Sequence, residues 1–128
     1  MIVVDASLMV DALVGEVGAA SRLEGEALAA PHLLEAEAAH VLRRLAASGV
    51  VDDDVARLAL TDLAELEIYR FAHGPLLARV WELRTNLTAY DALYVALAEH
   101  LEIPLVTADG HLARSPGIRA TVEVVPGA

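Results

Sequence analysis

The residues of this chain best placed to do chemistry are carboxylates, and four of them fall where folded chains gather ligands. Asp5 closes the apolar run Met1-Ile2-Val3-Val4, and Asp109 follows the run Pro104-Leu105-Val106-Thr107. Neither run alternates apolar with polar residues, so both read as short strands buried on two faces, as in a parallel sheet. Ligands of open α/β sheets bind beyond the carboxyl ends of the strands, which is where both aspartates would stand. Asp91 lies one turn into a helix, and Glu35 or Glu37 lies at a border of the apolar arc of another. Each acid also has a plain structural explanation. Asp5 and Asp109 can cap the helical turns that follow them. Thr88-Ala89-Tyr90-Asp91 fits a capping box, with Thr88 at the N-cap. Glu37 falls between Leu33 and Val41, and Glu35 beside Leu42; periodicity does not choose between them. A carboxylate at such a border turns to water, pairs with an arginine such as Arg44, or helps to bind a cation, because burying it alone is costly.

The joint pattern says more than its parts. Four carboxylates in one pocket repel and raise one another's pKa values, and a hard divalent cation relieves that. There is no cysteine, and no two of the five histidines stand four residues apart. An oxygen-only donor set selects Mg²⁺ or Mn²⁺ over Zn²⁺. The chemistry such a site supports is metal-assisted phosphoryl transfer, with water as nucleophile. No dinucleotide fingerprint, Walker A sequence, nucleophile elbow or H-E-x-x-H occurs. Asp52-Asp53-Asp54 reads as the N-cap and acidic first turn of a helix. Glu65, Glu67, Glu99, Glu102 and Glu123 read as solvated face residues.

The elements that must position these acids alternate along the chain. A strand over about residues 1–5 precedes a helix from Ser7 to Val14, and residues 16–25 form a second short helix. Leu28 to Pro31 is a brief strand broken by its proline. His32 to Ala47 is the clearest helix: Leu34, Ala38, Val41, Leu42 and Leu45 make one apolar arc, and Ser48-Gly49 ends it. The helix after Asp52 runs to about Leu66, Glu67 to Ala72 is a strand, and Gly74-Pro75 starts a helix to about Leu83. Thr88 to Leu101 is amphipathic, with Leu93, Ala96, Leu97 and Leu101 inward. Pro104 to Thr107 is a strand, a helical turn follows Asp109, and Thr121 to Val125 is the last strand. Strands alternating with helices specify an α/β fold with a mainly parallel sheet and helices on both faces.

Composition sets the outer bounds. The chain has 128 residues, 56% of them hydrophobic, and a formal net charge of -10. That is enough for one packed domain over 1–128. No apolar run reaches membrane-spanning length and no signal peptide opens the chain, so a cytoplasmic location is expected. The acidity argues against non-specific nucleic-acid binding by the whole surface, while leaving room for a local basic groove. All nine basic residues are arginine. Any mechanism that needs a lysine is therefore excluded.

Four ordered segments resemble those of the PIN-domain family, in particular VapC-type toxin ribonucleases of bacterial toxin–antitoxin pairs. They are Val3-Val4-Asp5-Ala6-Ser7; Pro31 to Glu37 running on to Val41-Leu42-Arg43-Arg44; Leu87 to Tyr94; and Leu105-Val106-Thr107-Ala108-Asp109. The resemblance implies a PIN-like α/β/α sandwich and a four-acid site of Asp5, Glu37, Asp91 and Asp109. The family's acid stands six residues after the strand-ending Pro31, which selects Glu37 over Glu35. Ser7 and Thr107 match small hydroxyl residues that support the site. The resemblance further implies Mg²⁺- or Mn²⁺-dependent endonucleolytic cleavage of RNA to 5′-phosphate and 3′-hydroxyl ends, a homodimer, and neutralisation by a VapB-like antitoxin. Arg43, Arg44, Arg84 and Arg114 are the candidates for phosphate contacts, against ordinary surface or ion-paired roles. A response-regulator receiver and a haloacid-dehalogenase-type phosphatase share the size and acidic edge, but both need a lysine. The remaining alternative is a non-catalytic PIN-fold module that binds RNA or a partner.

Overall fold

A computed structural model describes residues 1–127 of the chain. The element order is β1 (Ile2–Val4), α1 (Ala6–Leu13), α2 (Val17–Leu23), β2 (Leu28–Pro31), α3 (Leu34–Ala47), α4 (Asp53–Glu65) and β3 (Ile68–Phe71). A 3₁₀ turn (Gly74–Leu76) then runs into α5 (Leu77–Glu82), followed by α6 (Ala89–Leu101), β4 (Leu105–Thr107), α7 (Gly110–Arg114) and β5 (Val122–Val124). The strands form one sheet in the order β3-β2-β1-β4-β5, and every neighbouring pair is parallel. The fold is thus the α/β sandwich that the alternation of elements specifies.

Successive strand residues face opposite sides of a sheet, and Ile2, Val3 and Val4 are all buried. Both faces of β1 are therefore covered. On one side α1 packs with α2, α3 and α4; α6 lies against β1, β2 and β4, with α5 beyond it. The chain adds β2 and β3 on one side of β1, then returns to add β4 and β5 on the other. The order of strands reverses between β1 and β4, and such a switch point opens a crevice at the carboxyl edge of the sheet. Val3 pairs with Leu105 and Val4 with Val106, so Asp5 and Asp109 leave the sheet on either side of that crevice.

Three local readings need correction. Helix α6 is not a one-sided amphipathic helix: every residue from Ala92 to Ala98 is buried, while Leu101 is only partly so. Its small and apolar residues let it sit between the sheet and α5. Asp52 occupies the N-cap position of α4, yet its side chain makes no capping bond. Glu99 and Glu123 are not simply solvated. Glu99 takes the Arg79 guanidinium at 2.7 and 3.2 Å and the Arg119 N–H at 2.8 Å, and Glu123 pairs with Arg22. The helix stops differ in kind. Gly49, after α3, takes a left-handed φ of 77° as the sequence predicts, but at the end of α6 that conformation falls on Glu102, with φ 55°.

Candidate active site

The best-ordered part of the site is the end of β1. Asp5 leaves the strand and caps α1, its Oδ1 accepting from the Leu8 N–H at 3.0 Å. The same oxygen accepts from the Ser7 hydroxyl at 2.8 Å, and Oδ2 accepts from the Thr107 hydroxyl. Thr107 in turn accepts from the Asp109 N–H at 2.9 Å, and Ser7 accepts from the Ala108 N–H at 3.2 Å. Ser7 and Thr107 thus lash the ends of β1 and β4 together beneath the crevice. Asp5 is 6% exposed and Thr107 fully buried. Burial pushes the Asp5 carboxyl up, the three hydrogen bonds oppose that, and the charge of Asp91 adds to it.

Asp91 arrives from the first turn of α6, where the Thr88 hydroxyl accepts from its N–H at 3.2 Å. Its carboxyl is raised above the ordinary range, first by burial and then by Asp109. Asp109, exposed after β4, caps α7 by accepting from the His111 N–H at 2.9 Å. Capping is therefore realised at both strand ends, and Asp5 and Asp109 stand at the same edge of the sheet, where a strand end and a helix start coincide.

Helix α3 separates its two glutamates. Glu35 pairs with Arg70 on β3, whose guanidinium also donates to the Ile68 and Leu63 carbonyls; that acid is spent on holding α3 to β3. Glu37 is half-buried, and Arg44 is not its partner. Burial raises its pKa first and the charges of Asp91 and Asp5 raise it further, while Tyr94 and His40 favour the carboxylate. Glu37 therefore feels the charges of Asp5 and Asp91, whereas Glu35 is held by Arg70. The start of α3 is held by His73, whose Nε2 accepts from the Leu33 N–H at 3.0 Å.

Arg43, Arg44, Arg84 and Arg114 are all exposed, and none pairs with a carboxylate among the described residues. The Arg114 guanidinium lies over Gly110, the residue after Asp109 in sequence, and is a cation without a carboxylate partner among the described residues. Arg84 stacks on the Trp81 ring at 4.3 Å.

Among the described residues, no three carboxylate or imidazole groups already converge on one point as a finished cation cage. The donor chemistry nevertheless fits a hard divalent cation. Every donor is a carboxylate oxygen, and Asp5, Glu37 and Asp91 each have a pKa raised in part by another acid of the set. A buried tyrosine hydroxyl, Tyr94, makes no hydrogen bond of good geometry, and the carboxylate nearest to it in effect is that of Glu37. Residue-by-residue reading missed Tyr94, because a tyrosine in an apolar helix looks like core; its place one turn after Asp91 was the available signal.

An all-parallel sheet with acids gathered across its switch point defines a class of α/β domain built to hold charge at one edge. The PIN-domain model matches residues 2–117. Ribonuclease VapC1 of Mycobacterium tuberculosis is 46% identical over 128 residues, covering 96% of each chain. Ribonuclease VapC9 of the same species is 43% identical over 126 residues, covering 98% of this chain and 99% of that one. A toxin–antitoxin complex from Klebsiella pneumoniae shares the fold, with a TM-score of 0.63 at 21% identity over 97% of this chain and 100% of that chain. The chain belongs to the PIN-domain family, in its VapC branch.

Proposed function

We propose that the protein is a Mg²⁺- or Mn²⁺-dependent endoribonuclease and the toxin of a toxin–antitoxin pair. What supports this most is that Asp5 and Asp109 follow neighbouring parallel strands at one edge of the sheet, with the charge of Asp109 acting on Asp91 and those of Asp5 and Asp91 acting on Glu37. VapC relatives named as ribonucleases support the activity. In this reading the four carboxylates hold the cation, and one of them, through a water, helps to deprotonate the nucleophile. When bound, the cation supplies charge neutralisation at the scissile phosphate. Ser7 and Thr107 keep Asp5 ionised and aimed. Arg114, Arg43, Arg44 and Arg84 attract the RNA backbone into an otherwise acidic surface. Attack of water on phosphorus leaves a 5′-phosphate and a 3′-hydroxyl.

The same reading makes residues 1–128 one catalytic domain that acts in the cytoplasm as a homodimer. Among the described residues no helix is long and apolar enough to cross a membrane. Exposed Leu77 and Trp81, both on α5, supply apolar surface for self-association. The VapC relatives, with a fold neighbour solved as a toxin–antitoxin complex, support a VapB-like antitoxin as the controlling partner.

The test is cleavage of total RNA by purified protein, with Mg²⁺ or Mn²⁺ against EDTA, and wild type against Asp5→Asn. Discrete fragments that require both metal and Asp5 are expected. Absence of metal-dependent cleavage, with antitoxin verified absent, would favour the non-catalytic binding module instead.

A further inference from the structure

The Tyr94 hydroxyl is the one polar side-chain group in the stretch Ala92 to Ala98, where every residue is buried. Tyr94 itself is 1% exposed, and its hydroxyl has no hydrogen-bond partner of good geometry. A buried hydroxyl left unpaired is costly, and a phenylalanine would fill the same space without that cost. Packing therefore explains the ring and not the oxygen. The oxygen is within reach of Glu37 and feels the charges of Glu37, Asp5 and Asp91. Tyr94 also stands one turn after Asp91 on the same face of α6, so the two side chains reach the crevice together. A phenol there can donate to a carboxylate and cannot itself be anionic beside three acids.

We propose that Tyr94 is a positioning residue of the metal site, donating its hydroxyl to Glu37 and holding that carboxylate toward Asp5 and Asp91. The proposal rests on the four-carboxylate reading above. It assigns the orphan hydroxyl a partner that is already beside it: Glu37 closes the hydrogen bond when it is drawn fully into the pocket. Because Glu37 comes from α3 and Tyr94 from α6, the bond also joins the two helices that carry the second and third acids.

Thermal melts across a Mn²⁺ series test this with the whole protein. The chains compared are wild type, Tyr94→Phe, Glu37→Gln, the double variant and Asp5→Asn. In EDTA, Tyr94→Phe is expected to melt at or above wild type, since it removes an unpaired buried hydroxyl. The Mn²⁺ concentration needed for a set thermal shift should rise about tenfold, the loss of one hydrogen bond to a charged group. On the Glu37→Gln background the same change should add nothing, because the two residues act through one contact. A Tyr94→Phe protein with the wild-type Mn²⁺ response overturns the proposal, and so does a tenfold effect that persists without Glu37. A large fall in melting temperature in EDTA with an unchanged Mn²⁺ response assigns Tyr94 to the core and also overturns it. If wild type shows a Mn²⁺ shift that Asp5→Asn abolishes, the four-carboxylate reading stands whatever Tyr94 does. If wild type shows none, that reading falls and takes the role of Tyr94 with it.

Discussion

Thr107, at the end of β4, donates its hydroxyl to Asp5, at the end of β1, across 102 residues of sequence. The same oxygen accepts from the Asp109 N–H at 2.9 Å. One buried side chain thus satisfies the first acid of the crevice and sets the backbone of the last. Thr107→Val keeps the shape and removes both bonds. Asp5 then keeps only Ser7 and the Leu8 N–H, and a buried carboxylate is left short of a donor. We expect a loss of about 1–3 kcal/mol in urea unfolding. Ser7→Ala should cost less, because Ser7 is only partly buried. Equal losses for the two would show that Thr107 has no special place.

Asp91 should report repulsion among the acids. Its pKa is raised by burial and by Asp109, so its ionised form destabilises the metal-free fold. Asp91→Asn is therefore expected to unfold at higher urea than wild type in EDTA, while RNA cleavage falls by on the order of a hundredfold. A variant that is both less stable and fully active would contradict each half.

The pH dependence follows from two opposed sets of carboxyls. Asp5, Asp11, Glu37 and Asp91 are raised and bind protons more tightly folded than unfolded. Their contribution is fully present below the ordinary carboxylate range and is lost as pH rises through their folded values. Glu99 and Glu123 are lowered, each by its arginine. Their contribution is present above the ordinary range and is lost as pH falls through their lowered values. Stability in EDTA should thus increase as pH falls toward the ordinary carboxylate range, then fall in stronger acid below it. The urea midpoint measured across this range checks it, and a steady decline from neutrality would sink the assignment.

The two glutamates of α3 should part experimentally. Glu35→Gln breaks a half-exposed pair with Arg70, so it should cost no more than about 1 kcal/mol and leave cleavage near wild type. Glu37→Gln should abolish most cleavage without loss of stability. The reverse pattern would move the second acid to Glu35.

Arg114 tests the rim. If it meets RNA phosphate, Arg114→Ala should weaken binding of a catalytically silenced Asp5→Asn protein. The slope of log affinity against log salt should also drop by about 0.7, the value for one single-strand phosphate contact. An unchanged slope would return Arg114 to the ordinary surface.

Much of this arrangement was legible in the chain before any folding was considered. Unalternated apolar runs ending in Asp5 and Asp109 announce parallel strands with acids at their carboxyl ends. Thr88 and Asp91 announce a capped helix start, and the absence of lysine removes whole classes of mechanism. Those are local signals, because period, cap and turn chemistry are set by near neighbours. The tertiary structure alone decided the rest. It placed β1 beside β4, which puts Asp5 and Asp109 across one crevice. It spent Glu35 on Arg70, which agrees with the motif spacing from Pro31 that favours Glu37, a choice helical periodicity by itself leaves open since both border the same apolar arc. It buried α6 all round, turning Tyr94 from one more core aromatic into an unpaired hydroxyl among carboxylates. Each of these depends on which distant residue a side chain meets, and contacts formed across up to 102 residues leave no trace in the spacing of the residues that make them.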